Sequence, residues 1–415
     1  MAVLDINFIR ENKDLVKKGI SDKNFEPKLV DRVLELDEKR RKLILEVEGL
    51  RAKRNKVAEK REASLAGKKL KEELKVKEPE QAKVEEAYKE TLFKIPNLPL
   101  KSIPVGKGEG DNVEVRRWGT QTKLGFKPLG HLELGKNLGI LDFETGAKVT
   151  GSQFYFLYGE GAVLELALAQ YAMEKLSKAG FIPVITPDLA KERFYLGTGY
   201  APKGNEAQTY TIEGEDLGLI ATAEVTLAGK HADEVIPEAK LPLKYVGYSH
   251  CFRKEAGAYG KYSKGLYRVH EFTKTEMFIF CKPEESDKFH EYILKMEEEI
   301  YQELEIPYRV IEMCTGDLGA MAAKKFDIEA WMPGREDFGE VTSTSNCTDY
   351  QARNLNIKLK RKTGETEYLH MLNGTAVASS RAILAILENY QQKDGSVKIP
   401  KVLQKWVGKE EIKKE

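Results

Sequence analysis

The chain has 415 residues, with 67 Lys and Arg against 66 Asp and Glu, for a formal net charge of +1. That length suggests two or three domains with room for one sizeable core, and 41% hydrophobic with 32% charged residues is an ordinary soluble composition that excludes a uniformly basic nucleic-acid binder. No run of about 18 apolar residues occurs, and Met1–Arg10 lacks a basic stretch followed by an apolar one, so neither a membrane span nor secretion is expected and a cytoplasmic location is.

Residues from about 27 to 95 read as helix. Leu29, Val33, Leu36, Arg40, Leu43, Val47, Leu50, Arg54 and Val57 step alternately by four and three, an a/d heptad seam interrupted by two arginines. The seam stops around Ser64–Lys68, where Gly67 supplies a break. A weaker series follows through Leu70, Leu74, Lys77, Gln81, Val84, Tyr88, Thr91 and Ile95, and Ile-Pro-Asn-Leu-Pro at 95–99 ends it. Two long helices joined by a short turn are antiparallel neighbours, an arm of roughly 50 Å at about 1.5 Å per residue. Pro79 either kinks the second helix or marks its start.

Such an arm suits a dimerisation coiled coil. Its tip carries a second meaning: between Arg51 and Lys75 ten Lys and Arg face only four Glu. Arg51, Arg54, Lys56 and Lys69 belong to this basic tip, which has the charge of a footprint for a phosphate backbone.

The texture changes near residue 100, which divides an N-terminal part, 1–100, from a second part, 101–415. Short strand-like segments such as Phe154–Leu157, Tyr245–His250 and Glu276–Phe280 alternate with amphipathic helices near 161–179 and 284–304. Strands broken by separated helices, without regular βαβ alternation, predict an α+β domain on an antiparallel sheet. Neither a GxGxxG nor a Walker-type loop is present.

The most informative stretch is Phe252-Arg253-Lys254-Glu255, a loop containing Gly257, Gly260 and Gly265, and Arg268-Val269-His270-Glu271-Phe272. Strand, loop, strand is the natural parse. Arg253 and Glu255, two apart on a strand, would share a face: a guanidinium grips phosphate with two prongs while a carboxylate accepts from an amino group, and Phe272 offers a platform for a base. Alone, this stretch reads more readily as a surface ion-pair ladder over a core phenylalanine.

It is accompanied by Gly180-Phe-Ile-Pro-Val-Ile-Thr-Pro187, Thr222-Ala223-Glu224, Glu340-Val341-Thr342-Ser343 and Leu372-Asn373-Gly374-Thr375, the last leading to Arg381. In this order the segments resemble the three motifs of class II aminoacyl-tRNA synthetases, and with the helical arm the whole chain resembles the bacterial-type seryl-tRNA synthetases. The resemblance implies a class II antiparallel-sheet catalytic domain, an N-terminal tRNA-binding arm, and activation of L-serine with ATP followed by transfer to tRNA(Ser), and to tRNA(Sec) where the host has one. It implies a homodimer built around Pro187 and the helix before it.

Position by position, the resemblance assigns Arg253 to the ATP α-phosphate and the serine carboxylate, Glu255 to the adenine amino group, and Phe272 to stacking on the ring. Lys254, Val269, Val341 and Thr342 join the ATP site. Thr222, Ala223, Glu224, Glu276, Asn373 and Thr375 form the serine site. Glu340 and Ser343 hold ATP and Mg²⁺, and Arg381 meets the γ-phosphate. Glu271 stands where Gln is common, Thr342 where Ser is frequent, and Ser379-Ser380 at an approach that often contains Gly.

The six histidines and the four cysteines, Cys251, Cys281, Cys314 and Cys347, show no metal-ligand spacing, so no zinc is expected and Mg²⁺ is the metal implied. A carboxylate is already ionised at neutral pH, so attack on the α-phosphate needs no general base. A relative that loads a carrier protein should lack the arm, and a catalytically dead coiled-coil protein should show gaps among Arg253, Glu255, Glu340 and Arg381.

Overall fold

A computed structural model describes residues 4–59, 65–200, 209–255 and 265–414, with the Glu59 side chain excluded. Gly257, Gly260, Lys60, Arg61, Glu62 and Ser64 lie outside the described residues. The chain divides into two compact units, Met1–Leu98 and Pro99–Glu415.

In the first unit two short helices, Ile6–Glu11 and Lys13–Asp22, precede the long pair Lys28–Glu59 and Leu65–Phe93. Asp5 caps the first by accepting from Asn7 N–H at 2.7 Å. Ile9, Val16, Ile20, Val30, Val33, Leu36, Val84, Tyr88 and Leu92 form a common core at the base of the long pair. Buried there, Asp37 is held by Arg10 at 2.7 Å and Arg41 at 3.2 Å. The long helices are antiparallel, because rising numbers on one meet falling numbers on the other: Arg40 pairs with Glu85, Glu46 with Lys77, and Val57 faces Gly67. Arg40 fits the seam because Glu85 takes its charge while its guanidinium lies 4.9 Å from the Tyr88 ring centroid. Toward the tip the seam fades: Leu50 and Val57 are half-buried and Arg54 is exposed. Pro79 lies inside the second helix, which begins fourteen residues earlier at Leu65. Its ring is exposed, so water can take the carbonyl that loses its helical partner.

The second unit is built on an eight-stranded sheet. Across it run Val113–Trp118, Tyr308–Glu312, Lys324–Met332, Asp337–Asn346, His370–Ala378, Glu271–Cys281, Leu243–Phe252 and Ile182–Ile185. Every neighbouring pair is antiparallel except the last, which is parallel. The predicted strand at Phe154–Leu157 shortens to Phe156–Leu157, while the two predicted helices appear as Gly159–Lys178 and Ser286–Glu303. Those helices, with Ser379–Tyr390, cover one face and share its core. Strand alternation divides Glu271–Cys281 cleanly: Met277, Ile279 and Cys281 join that helical core, and Phe278 and Phe280 pack on the other side. Gly374 is required where the helix Ser286–Glu303 crosses, since a Cβ would stand 2.3 Å from Ile293 Cγ2 and 2.6 Å from Glu297 Oε1.

Two adjacent strands each contain a β-bulge. The register of Asp337–Asn346 shifts at Val341, and that of His370–Ala378 at Ala376. Val341, Ala376 and Val377 all enter the helical core, and Thr342 donates to Glu297 on the same side. The residues beyond each bulge are thereby returned to the opposite face.

Candidate active site

On the face of the sheet away from these helices lies a cavity of about 450 Å³. Its wall includes Glu224, Arg253, Glu255, Val269, Phe272, Glu276, Glu340, Val341, Thr342, Ser343, Asn373, Thr375 and Arg381. Thr222, Ala223 and Lys254 stand outside it. Buried Thr222 accepts the Glu224 N–H at 3.2 Å and so starts the short helix Glu224–Gly229. Ala223 packs into the apolar cluster with Leu227 and Phe278. Lys254 turns to the Tyr210 ring, 5.5 Å from its centroid.

One end of the cavity is acidic. Glu224, 3% exposed, accepts from Gln351 Nε2 at 2.6 Å, Asn373 Nδ2 at 3.0 Å and Tyr200 O–H at 3.1 Å. All three donors are neutral. Burial, reinforced by the charge of Glu276, pushes the Glu224 carboxyl up to about 7. Glu276 is satisfied differently: Lys274 lies 2.6 Å from its Oε2, and Thr375 O–H donates at 3.2 Å. Phe272, Lys274 and Glu276 share the cavity face because they alternate on one strand.

The other end is rich in guanidinium groups. Arg253 lies 5.2 Å from the Phe272 ring centroid and donates to Ala221 O at 3.4 Å. The expected same-strand relation of Arg253 and Glu255 does not hold. The strand ends at Phe252, and Glu255 adopts a left-handed conformation with φ of 47°. That turn aims its carboxylate at Arg268, 3.4 Å away, and both line the cavity. Arg381, in the first turn of Ser379–Tyr390, pairs with Glu340 at 2.8 Å and lies 4.9 Å from the Tyr267 ring centroid. Tyr267 O–H in turn accepts Glu340 N–H at 3.1 Å, and Arg335 lies 4.9 Å from the same ring centroid. Loss of solvation opposes the charge on Glu340, but Arg381 and Lys325 outweigh it and hold the carboxyl below its ordinary range. Without the bulge at Val341, Glu340 and Ser343 would point to opposite faces; with it, both line the cavity.

Three sequence departures have distinct placements. Thr342 sends its hydroxyl to Glu297 Oε2 at 2.7 Å, toward the helical layer. Ser379 Oγ accepts Thr273 N–H at 3.2 Å, while Ser380 lines the cavity. Glu271 faces a second cavity of about 360 Å³ with Glu165 and His250.

Among the described residues no group of three or more His, Cys, Asp or Glu could hold a metal ion. Glu340, kept ionised, and the Ser343 hydroxyl make a sparse oxygen donor set. This fits Mg²⁺, which keeps its waters and is usually completed by substrate phosphates. In the first unit, Arg51 is tied to Glu78 at 2.8 Å, whereas Arg54, Lys56 and Lys69 are exposed along the arm's distal part.

Tyr200, Tyr267, Lys274, Lys325 and Gln351 escaped the sequence reading, and Arg268 appeared there without a role. The position of Lys274, two residues before Glu276, was a usable signal. Tyr267 and Arg268 adjoin Val269 in the same motif, whereas Tyr200, Lys325 and Gln351 come from distant segments that carry no signal.

Residues 209–390 match the family model for the class II tRNA synthetase core domain (G, H, P, S and T), and residues 3–99 match that for the seryl-tRNA synthetase N-terminal domain. The chain is 54% identical to a serine–tRNA ligase of Dictyoglomus thermophilum, over 99% of each chain. Among solved structures, it superposes on seryl-tRNA synthetase from Pyrococcus horikoshii complexed with ATP, with a TM-score of 0.90 and 44% identity over 99% of this chain and 100% of that one. It also matches the cytoplasmic serine–tRNA ligase of Naegleria fowleri in complex with AMP, with a TM-score of 0.86 and 36% identity over 99% of each chain.

Proposed function

The chain belongs to the seryl-tRNA synthetase family, and from that premise we propose how its own residues divide the work of the reaction. The enzyme is a serine–tRNA ligase: it activates L-serine with ATP and transfers the seryl group to tRNA(Ser). The observation that carries the assignment of roles is the polarity of one cavity, with Glu224 and Glu276 at one end and Arg253 and Arg381 at the other. A zwitterionic amino acid beside a triphosphate has the complementary polarity.

Among the described residues Glu224 has no ion-pair partner, whereas Glu276 already has Lys274. Glu224 therefore receives the serine ammonium, and the neutralised Glu276, with Thr375, receives the hydroxyl. Asn373 supports both substrate and Glu224. Arg253 bridges the serine carboxylate and the α-phosphate, so that the carboxylate oxygen attacks phosphorus in line. The new P–O bond forms as the bond to pyrophosphate breaks, and no proton moves. Arg253 and Arg381 offset the charge that develops. Glu255 and Arg268 border the base, Phe272 is its platform, and Val269 gives the wall apolar surface, whereas the Val341 side chain lies in the helical core. Glu340 and Ser343 would hold Mg²⁺, which when bound neutralises phosphate charge. In the second step a hydroxyl of the terminal tRNA ribose attacks the seryl carbonyl and AMP leaves.

Thr222 and Ala223 act behind the serine site by setting the helix that carries Glu224. The basic arm grips tRNA through Arg54, Lys56 and Lys69, with Arg51 contributing less because Glu78 holds it. The same chemistry extends to tRNA(Sec) in a host that has one. Exposed Val163, Leu166, Ile182 and Ile185, near Pro187, form an apolar surface suited to a second copy, and a cytoplasmic homodimer is the assembly proposed. Pyrophosphate exchange with each of the 20 amino acids tests the substrate assignment; exchange driven best by an amino acid other than serine would overturn it.

A further inference from the structure

We propose that Gln351 is a positioning residue for serine recognition, holding the Glu224 carboxylate in the orientation that receives the substrate ammonium. The inference rests on the reading of Glu224 given above. Gln351 is fully buried and lies outside the cavity wall, on the short helix Tyr350–Leu355. Its amide nitrogen donates to Glu224 Oε1 at 2.6 Å and to Thr198 O at 3.1 Å. Both amide hydrogens are thereby used, and among the described residues the amide oxygen has no hydrogen-bond partner. Turning the amide over would set that oxygen against a carboxylate and a carbonyl, so electrostatics fixes the orientation.

The helix that carries Gln351 is anchored independently. Asn354, one turn along, donates to Gly197 O at 3.2 Å. Gln351 and Asn354 therefore grip consecutive carbonyls, those of Thr198 and Gly197, but only Gln351 reaches on to Glu224. On the far side of the carboxylate, Tyr200 O–H donates to Oε2 at 3.1 Å. Glu224 is held by these two donors and by Asn373 Nδ2, which donates to the same Oε1 at 3.0 Å, with one edge facing the cavity. Losing the Gln351 donor leaves Oε1 to Asn373 alone, so the carboxylate is held less firmly and is less well solvated in a closed site.

The test compares Gln351→Met, which keeps length and removes the donor, with wild type in serine-dependent pyrophosphate exchange. Asn354→Ala and Glu224→Gln run in parallel. A hydrogen bond to a buried charge corresponds to about 10- to 100-fold in affinity. Gln351→Met should raise the serine KM by that factor, with kcat within about threefold and the ATP KM within about twofold, since ground-state binding is what it removes. Asn354→Ala should lower the melting temperature with a near-normal serine KM. Should Gln351→Met prove too unstable to purify, Gln351→Glu, of the same length, is expected to give the same split more severely. A serine KM unchanged in the Gln351 variant, or serine and ATP KM rising together, overturns the inference. If Glu224→Gln raises the serine KM but the Gln351 variant does not, this inference fails and the role of Glu224 stands. A normal serine KM in Glu224→Gln removes both.

Discussion

Arg381 Nη1 lies 2.8 Å from Glu340 Oε1, so the guanidinium proposed for the γ-phosphate and the carboxylate proposed for the metal neutralise one another. Each carries the charge opposite to what it would meet in magnesium–ATP, and exchanging partners conserves local charge. Removing one member strands the other. Arg381→Ala should therefore lower the turnover of pyrophosphate exchange by about 100-fold or more. Glu340→Gln should shift the magnesium requirement upward, measured by titrating Mg²⁺ at fixed ATP. An unaltered magnesium optimum in Glu340→Gln would remove Glu340 from the metal site.

Arg253→Lys should be poorly tolerated although the charge is kept. An ammonium cannot make the planar two-pronged contact, nor spread over the Phe272 ring as the guanidinium does at 5.2 Å. The expected loss is in kcat, by about 100-fold, because the contact strengthens as charge builds on the α-phosphate. Single-turnover adenylate formation at the wild-type rate would take Arg253 off the catalytic list.

Glu224 sets a pH dependence. With its carboxyl pushed up to about 7, a fall in pH through that value adds a proton and removes the charge that attracts ammonium. The kcat/KM for serine should decline about tenfold per pH unit below 7, while the ATP KM stays level. Stability runs the other way. A carboxyl raised from 4.5 to about 7 on folding contributes most below 4.5, and that contribution is lost as pH rises through 7. Glu224→Gln should flatten both profiles, read from exchange kinetics and from melting temperature against pH.

The arm can be separated from the chemistry. Replacing residues 30–92 with a short Gly-containing linker should leave serine-dependent pyrophosphate exchange near normal and abolish efficient tRNA charging. Duplex RNA is gripped through its shape and backbone, which suits a stiff basic arm. Neutralising Arg54, Lys56 and Lys69 together should be milder, reducing the salt slope of tRNA binding by about two to three. Sedimentation of the deletion protein beside a charging assay is decisive: a monomer that still charges tRNA would reassign the arm to dimerisation.

The arm was legible because helical periodicity is local, and an apolar seam shows itself within nine positions. Even there, the placement of Arg40 in the seam became sensible only once Glu85 and Tyr88, on the returning helix, were seen around it. In the catalytic unit the motifs named the reacting groups, since those residue types are dictated by phosphate and ammonium chemistry. Their directions were less visible. Glu255 faces the cavity through a left-handed turn and not through strand alternation, and Thr342 keeps its hydroxyl for Glu297. Gln351 and Tyr200 reach Glu224 from segments that only tertiary folding brings together.

The bulges at Val341 and Ala376 give two neighbouring strands something like a reading frame. A substitution at Val341 changes one side chain under the sheet. Deleting that residue instead closes the bulge: Glu340, Thr342 and Ser343 then alternate strictly, so Glu340 and Ser343 keep the cavity face and Thr342 keeps the side of Glu297. A loss of length is absorbed only at the bulge: deleting Thr344, where alternation is already strict, would turn Ser345 from the cavity to the helical side. Along these two strands, outside the bulges, an in-frame codon deletion in the gene is a frameshift in the sheet.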